Sequence, residues 1–363
     1  MASGRFAVTL TPEQALRSGR WVKWIGGASN QDLVAIEDLA GLYTLAGVHC
    51  LDLAPDAAVV AAARRGMAWA SDRGAPSPWL MVSLNDGSDP HFRKAWFDPV
   101  RCPPDCPRPC QRVCPALAIG AEGVQEPRCY GCGRCLPACP LGLIEERHHS
   151  LAPEAVPALL AELRPDAVEL HTRLGRSGAF ADRLGQLQRA GVFPQRLAVS
   201  CGLESAAGEA PPPEGSTALA TPEALAAELW DRFRQVRAAG LQPLWQLDGR
   251  PMCGDVGGGT AHAAVRLLQR VASQLPPGPL QLAGGTNAQT LALVERAGVP
   301  PVAGVAFGGV ARSLLLPLLQ EAQSRGRRIL EDAELLGRAL PIARELVEPW
   351  LRRQPGDPAA AAA

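Results

Sequence analysis

From residue 21 to residue 307, short runs of apolar and β-branched residues alternate with longer stretches in which apolar positions recur every three or four residues. A period near two marks a strand and a period near 3.6 marks a helix, so the chain reads in βα order. Eight runs are predicted strands: Trp21 to Ala28, Cys50 to Ala54, Trp79 to Leu84, Ala167 to His171, Arg196 to Cys201, Pro243 to Leu247, Pro279 to Ala283 and Val302 to Phe307. Helices are predicted at Asp32 to Ala46, Ala57 to Trp69, Ala179 to Ala190, Pro222 to Ala239, His262 to Gln274, Ala288 to Ala297 and Arg312 to Arg325. Eight parallel strands with helices between them suit an α/β fold, a (β/α)8 TIM-like barrel. A miscounted strand would instead leave an open doubly wound sheet.

Local signals agree with this pattern. Thr221-Pro222 places a cap residue before proline at a first helical position, and Thr11-Pro12-Glu13-Gln14 reads as a capping box on a short leading helix. Gly47, Gly191, Gly240 and Gly298 follow predicted helices where a left-handed C-cap is expected. The chain divides into a first barrel part (13–97), an inserted segment after the third strand (98–147), the rest of the barrel (148–330), a C-terminal helix (331–353) and a disordered tail (354–363). That last helix, about Glu331 to Arg353, is expected to be interrupted near Pro341. Segment 205–220, rich in Pro, Ala and Gly, reads as a solvated loop.

Charge narrows the function. The 363 residues carry 36 Lys+Arg against 36 Asp+Glu, with the arginines scattered, which removes the basic footprint of a nucleic-acid binder. No apolar run approaches the roughly 20 residues that span a bilayer, and the start MASGRFAVTL lacks a leader pattern, so a cytoplasmic protein with no membrane span is expected. Of 11 cysteines, all but Cys50, Cys201 and Cys253 crowd between residues 102 and 139. In an unexported chain such crowding points to metal ligation rather than to disulfides.

The segment "CYGCGRCLPACP" (129–140) has the spacing C-x2-C-x2-C-x3-C-P, the bacterial ferredoxin run for a cubane cluster, whose fourth cysteine usually serves the other cluster of a pair. The partner run lies upstream in "CPPDCPRPCQRVCP", spaced C-x3-C-x3-C-x3-C-P. The expected pairing is Cys129, Cys132, Cys135 and Cys114 around one cluster and Cys102, Cys106, Cys110 and Cys139 around the other, a ferredoxin-like insert with two 4Fe-4S clusters. "ALAIGAEGVQEPR" between the runs has the length of a β-hairpin, and Gly131 and Gly133 allow close backbone approach to a cluster. Zinc also takes four thiolates, but normally from two separated C-x2-4-C pairs.

A second candidate site lies where strand ends should face a common mouth. Polar residues gather there: Asn30, Asp52, Asn85, Asp86, His171, Arg173 and Ser200, then Asp248, Arg250, Cys253 and Asp255 in "DGRPMCGDVGGGT". The turns Gly284, Gly285, Thr286, Asn287 and Gly308, Gly309 follow the last two strands, where barrels often hold a phosphate or phosphorylated cofactor such as a flavin. Tight βα turns need glycine anyway. Cys201 and Cys253 read either as a redox pair or as apolar thiols, and Cys50 as core. No Ser-His-Asp, paired-carboxylate or metalloprotease spacing stands out.

Four stretches, "WVKWIGGASNQDLVAIEDLAGLYTLAGVHCLDLA", "PWLMVSLNDGSDPHFRKAWFDPVRCPPDCPRPCQRVCPA", "RCYGCGRCLPACPLGLI" and "QLDGRPMCGDVGGGTAHAAVR", carry a resemblance. Over nearly all its length, save the first dozen residues and the tail, the chain resembles the light-dependent period modulator (LdpA) family of cyanobacteria. The resemblance implies an iron–sulfur protein that reports redox state, set by photosynthetic electron flow, to the circadian clock through clock-associated proteins. It also makes the x3 spacing of the first run a family feature, and it brings no established catalytic residues. Two readings follow: a redox sensor or electron carrier with an electron donor or acceptor, or an oxidoreductase passing electrons to a flavin or phosphorylated substrate at the mouth. A third, in which clusters only brace the fold, predicts that losing Cys132 costs stability alone.

Overall fold

The computed structural model describes residues 10–87, 89–148, 151–203, 221–249 and 258–354. Eight parallel strands close into a barrel: β1 (Trp21–Gly27), β2 (Cys50–Leu53), β3 (Trp79–Asn85), β4 (Ala167–His171), β5 (Arg196–Cys201), β6 (Pro243–Asp248), β7 (Leu280–Ala283) and β8 (Gly304–Phe307). All eight predicted strands are present, and each pairs with its neighbour in chain order. The seam closes where Trp21 to Trp24 of β1 pair with Gly304 to Phe307 of β8. A Cβ at Gly304 would lie 2.0 Å from the Trp21 carbonyl oxygen, so the seam requires glycine there.

Alternation along each strand sorts the side chains. Val22, Trp24, Leu51, Leu53, Val82 and Val168 point outward into the main core formed with the surrounding helices. The inward set differs by level. At the N-terminal end, Trp21, Cys50, Met81, Ala167, Ala198 and Leu244 form a second apolar cluster, plugged by Ala15 and Leu16 of the leading helix Pro12–Arg17. That helix has the expected capping box between Thr11 and Gln14.

Helices Leu33–Ala46 and Ala57–Ser71 start on Asp32 and Asp56, whose carboxylates accept from Ala35 N–H and from Ala58 and Val59 N–H. They cross at Gly41 and Gly66, where a Cβ on Gly66 would meet the Glu37 carbonyl oxygen at 2.3 Å. A helix at Ala155–Leu163 precedes β4 and was not among the predicted ones. The C-terminal helix differs from its expectation: Ala333–Leu351 runs unbroken through Pro341 and Pro349. Its buried face of Leu335, Ala339, Ala343, Leu346, Val347 and Trp350 joins the main core, and that packing outweighs the backbone bonds lost at proline. The loop expected at 205–220 and the tail from 355 onward lie outside the described residues. Among the described residues no helix is long and apolar enough to cross a membrane.

Candidate functional site

Between β3 and the helix Ala155–Leu163 the chain leaves the barrel. Residues Arg93–Trp96 pair antiparallel with Glu145–His148 to form the stem of the insert, just ahead of and at the close of segment 98–147. Within it, Ile119–Gly120 and Gly123–Val124 form the expected hairpin between the cysteine runs. Phe97, Cys110, Ile119, Cys135 and Ile144 make its small core. Such a core is too small to hold the backbone alone, so a cross-link is expected to contribute.

The cysteines gather in two cavities. Cys114, Cys129, Cys132 and Cys135 line one, with Ile119, Tyr130, Gly131 and Gly133. Cys102, Cys106, Cys110 and Cys139 line the other, with Phe97, Leu141 and Ile144. Each run thus lends its last cysteine to the other's cavity. All eight are free thiols. Gly131 and Gly133 have φ of 74° and 78°, which lets the 129–135 loop wrap its cavity.

The donor set fits a cluster. Backbone N–H groups of Ala95, Ala118 and Leu143 donate to the sulfurs of Cys129, Cys114 and Cys139 at 3.3 to 3.4 Å, which favours thiolate. Burial pushes the Cys135 thiol up to about 12, and the charges of Cys132, Cys129 and Cys114 push the same way. Four thiolates so crowded stay ionised together only around positive charge, which iron supplies.

The 129–135 loop rests on the barrel. Tyr130, almost fully buried, lies under the Arg312 guanidinium at 4.5 Å, and Arg312 in turn donates to the Gly26 carbonyl at the end of β1. Gln31 N–H donates to Pro127 O at 2.9 Å, and Lys94 Nζ bridges Gln31 Oε1 and Glu126 O at 2.5 and 2.9 Å. On the stem side, Arg93 Nε donates to Gly131 O at 3.0 Å and its guanidinium pairs with Glu146.

Inside the barrel, above the apolar plug, runs a buried polar chain. Lys23 Nζ contacts Asp52 Oδ2 at 3.0 Å and also the Glu169 carboxylate. Ser83 Oγ donates to Asp52 at 2.7 Å, Gln246 Nε2 donates to Glu169 Oε1 at 2.8 Å, Gln281 Nε2 to Gln246 Oε1 at 2.8 Å, and Trp21 Nε1 to Gln281 Oε1 at 2.6 Å. Burial opposes the charge on Glu169, yet the Lys23 ammonium and a hydrogen bond from His171 hold its pKa down to about 2. For Lys23, Asp52 and Glu169 outweigh burial and raise the pKa. Asp52 moves up from burial, and Asp248 rises to about 6 for the same reason.

Residues 159–349 match the light dependent period A C-terminal domain, and residues 102–150 match the LdpA Fe-S cluster-binding domain. The chain is 47% identical over 346 residues to light dependent period A of Synechococcus elongatus, covering 93% of each. The chain belongs to the light-dependent period A family. As in that family, the insert is an iron–sulfur cluster-binding domain. Among solved structures, tryptophan synthase of Mycobacterium tuberculosis is 14% identical with a TM-score of 0.43, covering 93% of this chain and 96% of the other. Tryptophan synthase subunit alpha of Legionella pneumophila is 12% identical with a TM-score of 0.37, over 93% and 97%. The barrel follows from strand order and not from these likenesses.

In this LdpA family member the polar residues read from sequence as a mouth fall into separate settings. Asp52 faces Lys23 inside the barrel, Ser200 Oγ donates to the Asp248 carboxylate, and Asn30 Nδ2 donates to Gly26 O at 3.1 Å. Asp86 accepts from Thr172 and pairs with Arg176 at 3.4 Å, while the Asn85 carbonyl accepts from Arg183 at 2.7 Å. Arg173 is partly exposed. At the glycine turns, Thr286 donates to Ala306 O and Asn287 N–H to Thr290 Oγ1 at 2.8 Å, and a Cβ on Gly285 would meet Thr260 O at 3.0 Å. These contacts pack the turns together. Gly308 caps the helix Gly309–Ser324, which carries Arg312. Cys50 is buried in the apolar plug and Cys201 in the main core, whereas Arg250, Cys253 and Asp255 lie outside the described residues.

Sequence reasoning passed over Lys23, Glu169, Gln246 and Gln281. Each is one polar residue at the centre of an otherwise apolar strand, a signal readable in "WVKWI", "AVELH", "LWQLD" and "LQLA". It also passed over Asp89 and His91, next to the insert stem.

Proposed function

We propose that the insert holds two 4Fe-4S clusters, one on Cys114, Cys129, Cys132 and Cys135 and one on Cys102, Cys106, Cys110 and Cys139, and that their redox state is the signal this cytoplasmic protein passes to protein partners. The exchange of fourth cysteines between two four-thiol cavities carries this reading. When bound, such clusters supply one-electron chemistry at potentials set by charge, hydrogen bonds to sulfur and exposure. The chain's own part is to hold the sulfurs, donate the three N–H···S bonds and place the Tyr130–Arg312 contact between one cavity and β1. An open cleft lined by Cys114 and Cys132 and bordered by Arg93, Arg112 and Arg134 gives an acidic electron donor or acceptor a route to that cavity. The relative's name, with its light-dependent period, supports circadian clock-associated proteins as the receivers.

The test is anaerobic purification with iron, sulfide and flavin assays, then electron paramagnetic resonance during a redox titration. About eight irons per chain, two reversible signals and no flavin are expected for two such clusters. Cys132→Ala should remove one signal and the redox dependence of partner binding. Wild-type partner binding that is identical in both redox states would overturn the sensor reading. Stoichiometric flavin would instead favour an oxidoreductase with its cofactor at Gly284 to Asn287 and Gly308 to Gly309.

A further inference from the structure

Asp89, His91 and His171 converge at the C-terminal mouth of the barrel, each offering one ligand atom within 4.8 Å of the others. Asp89 and His91 sit between β3 and the insert stem, and His171 ends β4. Asp89 and His171 are buried, whereas His91 is partly exposed. His91 Nδ1 is 2.6 Å from Asp89 Oδ1, and the two imidazole rings lie 4.6 Å apart. The interior network holds the third member in place. His171 Nε2 contacts Glu169 Oε1 at 3.1 Å, and Glu169 is itself fixed by Lys23 and Gln246. A neutral ring that donates from Nε2 to a carboxylate keeps its lone pair on Nδ1, the arrangement by which carboxylates orient metal-binding histidines.

We infer that Asp89, His91 and His171 form a mononuclear site for a divalent first-row transition-metal ion, distinct from the cysteine clusters. Two imidazoles with one carboxylate suit zinc or ferrous iron and are too rich in nitrogen for calcium or magnesium. Donors of one ion, bonded at about 2.0–2.2 Å, lie at most about 4.4 Å apart, so a small side-chain rotation closes the set. Metal binding takes Asp89 as carboxylate and both rings as neutral imidazole, so any proton they carry is exchanged for the ion. Charge favours this exchange. Asp248, at the end of β6, also acts on both histidines, so the acidic groups Asp89, Glu169 and Asp248 surround them with Lys23 as the nearby buried ammonium. With three protein ligands, a coordination position remains for water or a small oxygen-donor ligand facing the mouth. His91 is two residues from Arg93, which bonds the 129–135 loop, so an ion there pins the base of the insert stem to the barrel.

The test uses full-length protein purified with its clusters intact, their iron and sulfide counted. The protein is equilibrated with micromolar Zn2+, freed of loose metal by a weak chelator, and its zinc counted by mass spectrometry. Wild type should retain close to one zinc per chain, and His91→Gln and Asp89→Asn should each lose at least nine-tenths of it with visible cluster absorption unchanged. Glu169→Gln, which frees the His171 ring, should weaken zinc binding about 10- to 100-fold. No zinc retained by wild type, or equal zinc in wild type and both first-named variants, would overturn the site. His91 lies on the single 3-10 turn Pro90–Phe92 with 30% of its side chain exposed, so its variant reads binding rather than folding.

Discussion

Lys23→Met removes the ammonium from the centre of the barrel and keeps the length of the side chain. Lys23 has no exposed side-chain surface, and its two partners, Asp52 and Glu169, have 2% and 1%. At an effective dielectric near 20, the 3.0 Å contact with Asp52 alone is worth about 5–6 kcal/mol of attraction. Dehydrating the three groups offsets part of that, so the expected net loss is about 3–5 kcal/mol, the range for buried pairs that lose one partner. This is a large share of a total stability of about 5–15 kcal/mol. In urea at pH 7.5, followed by tryptophan fluorescence with cluster absorbance recorded in parallel, a slope of about 3 kcal/mol/M makes that a midpoint drop of about 1–1.7 M. Adding Glu169→Gln removes the anion left behind, and Asp52, whose pKa burial already raises, takes up a proton beside Ser83. The double variant should therefore recover about 2 kcal/mol. A single variant costing less than about 1 kcal/mol, or a double variant no more stable than the single, would refute an interior held by opposed charges.

His49 is buried, accepts the Val22 N–H at 3.2 Å, and is held neutral down to about 4 by desolvation. The unfolded chain protonates this group below about pH 6.5 while the native ring stays neutral, so its full contribution stands above pH 6.5 and falls away toward pH 4, about 2 kcal/mol being lost by pH 5. Urea midpoints at pH 7 and pH 5 should diverge less in His49→Gln than in wild type; equal losses would count against it. Arg312→Ala removes a cation that stacks on Tyr130 and whose charge acts on Cys132. Of the two proposed clusters, it should lower the midpoint potential of the one assigned to Cys114, Cys129, Cys132 and Cys135 relative to the other, since reduction adds negative charge; a redox titration with both midpoints unmoved would sink this coupling.

The barrel was legible because its outward residues are apolar and its helices carry their own stop and start signals. Asp32 and Asp56 cap helices that a periodicity count also finds, and the two kinds of signal agree. The iron–sulfur insert was legible because its cysteines crowd into two short runs, one of them at ferredoxin spacing. The inward face was not. Inside a barrel a single lysine or glutamate breaks an apolar strand pattern only at one position, and its partners come from strands 29 and 146 residues away. Asp52 was picked out as a mouth residue, yet its register opposite Ile25 and Met81 puts it one level deeper, against Lys23. Pro341 misled for a related reason. Its local cost is real, but the helix face that Trp350 and Val347 bury is set by residues far along the chain.

What joins the insert to the barrel is also what makes a signal between them physically reasonable. Two chains of contact leave the cavity of Cys114, Cys129, Cys132 and Cys135. One passes through Tyr130 to Arg312 and the end of β1. The other passes through Gly131 to Arg93 and so to the stem beside His91. Both end at the C-terminal face of strands whose inward residues belong to one buried charge network, and buried charges respond to each other far more than exposed ones do. An electron added at the cavity therefore acts first on Arg312, which already feels Cys132, and only the loop that carries Tyr130 separates the two. The opposite cavity, lined by Phe97, Leu141 and Ile144, has Leu141 at its rim 53% exposed. On the proposed reading electrons reach the cavity of Cys114, Cys129, Cys132 and Cys135 by the open cleft beside Arg112 and Arg134, and its Tyr130 side is the one placed to pass a change inward.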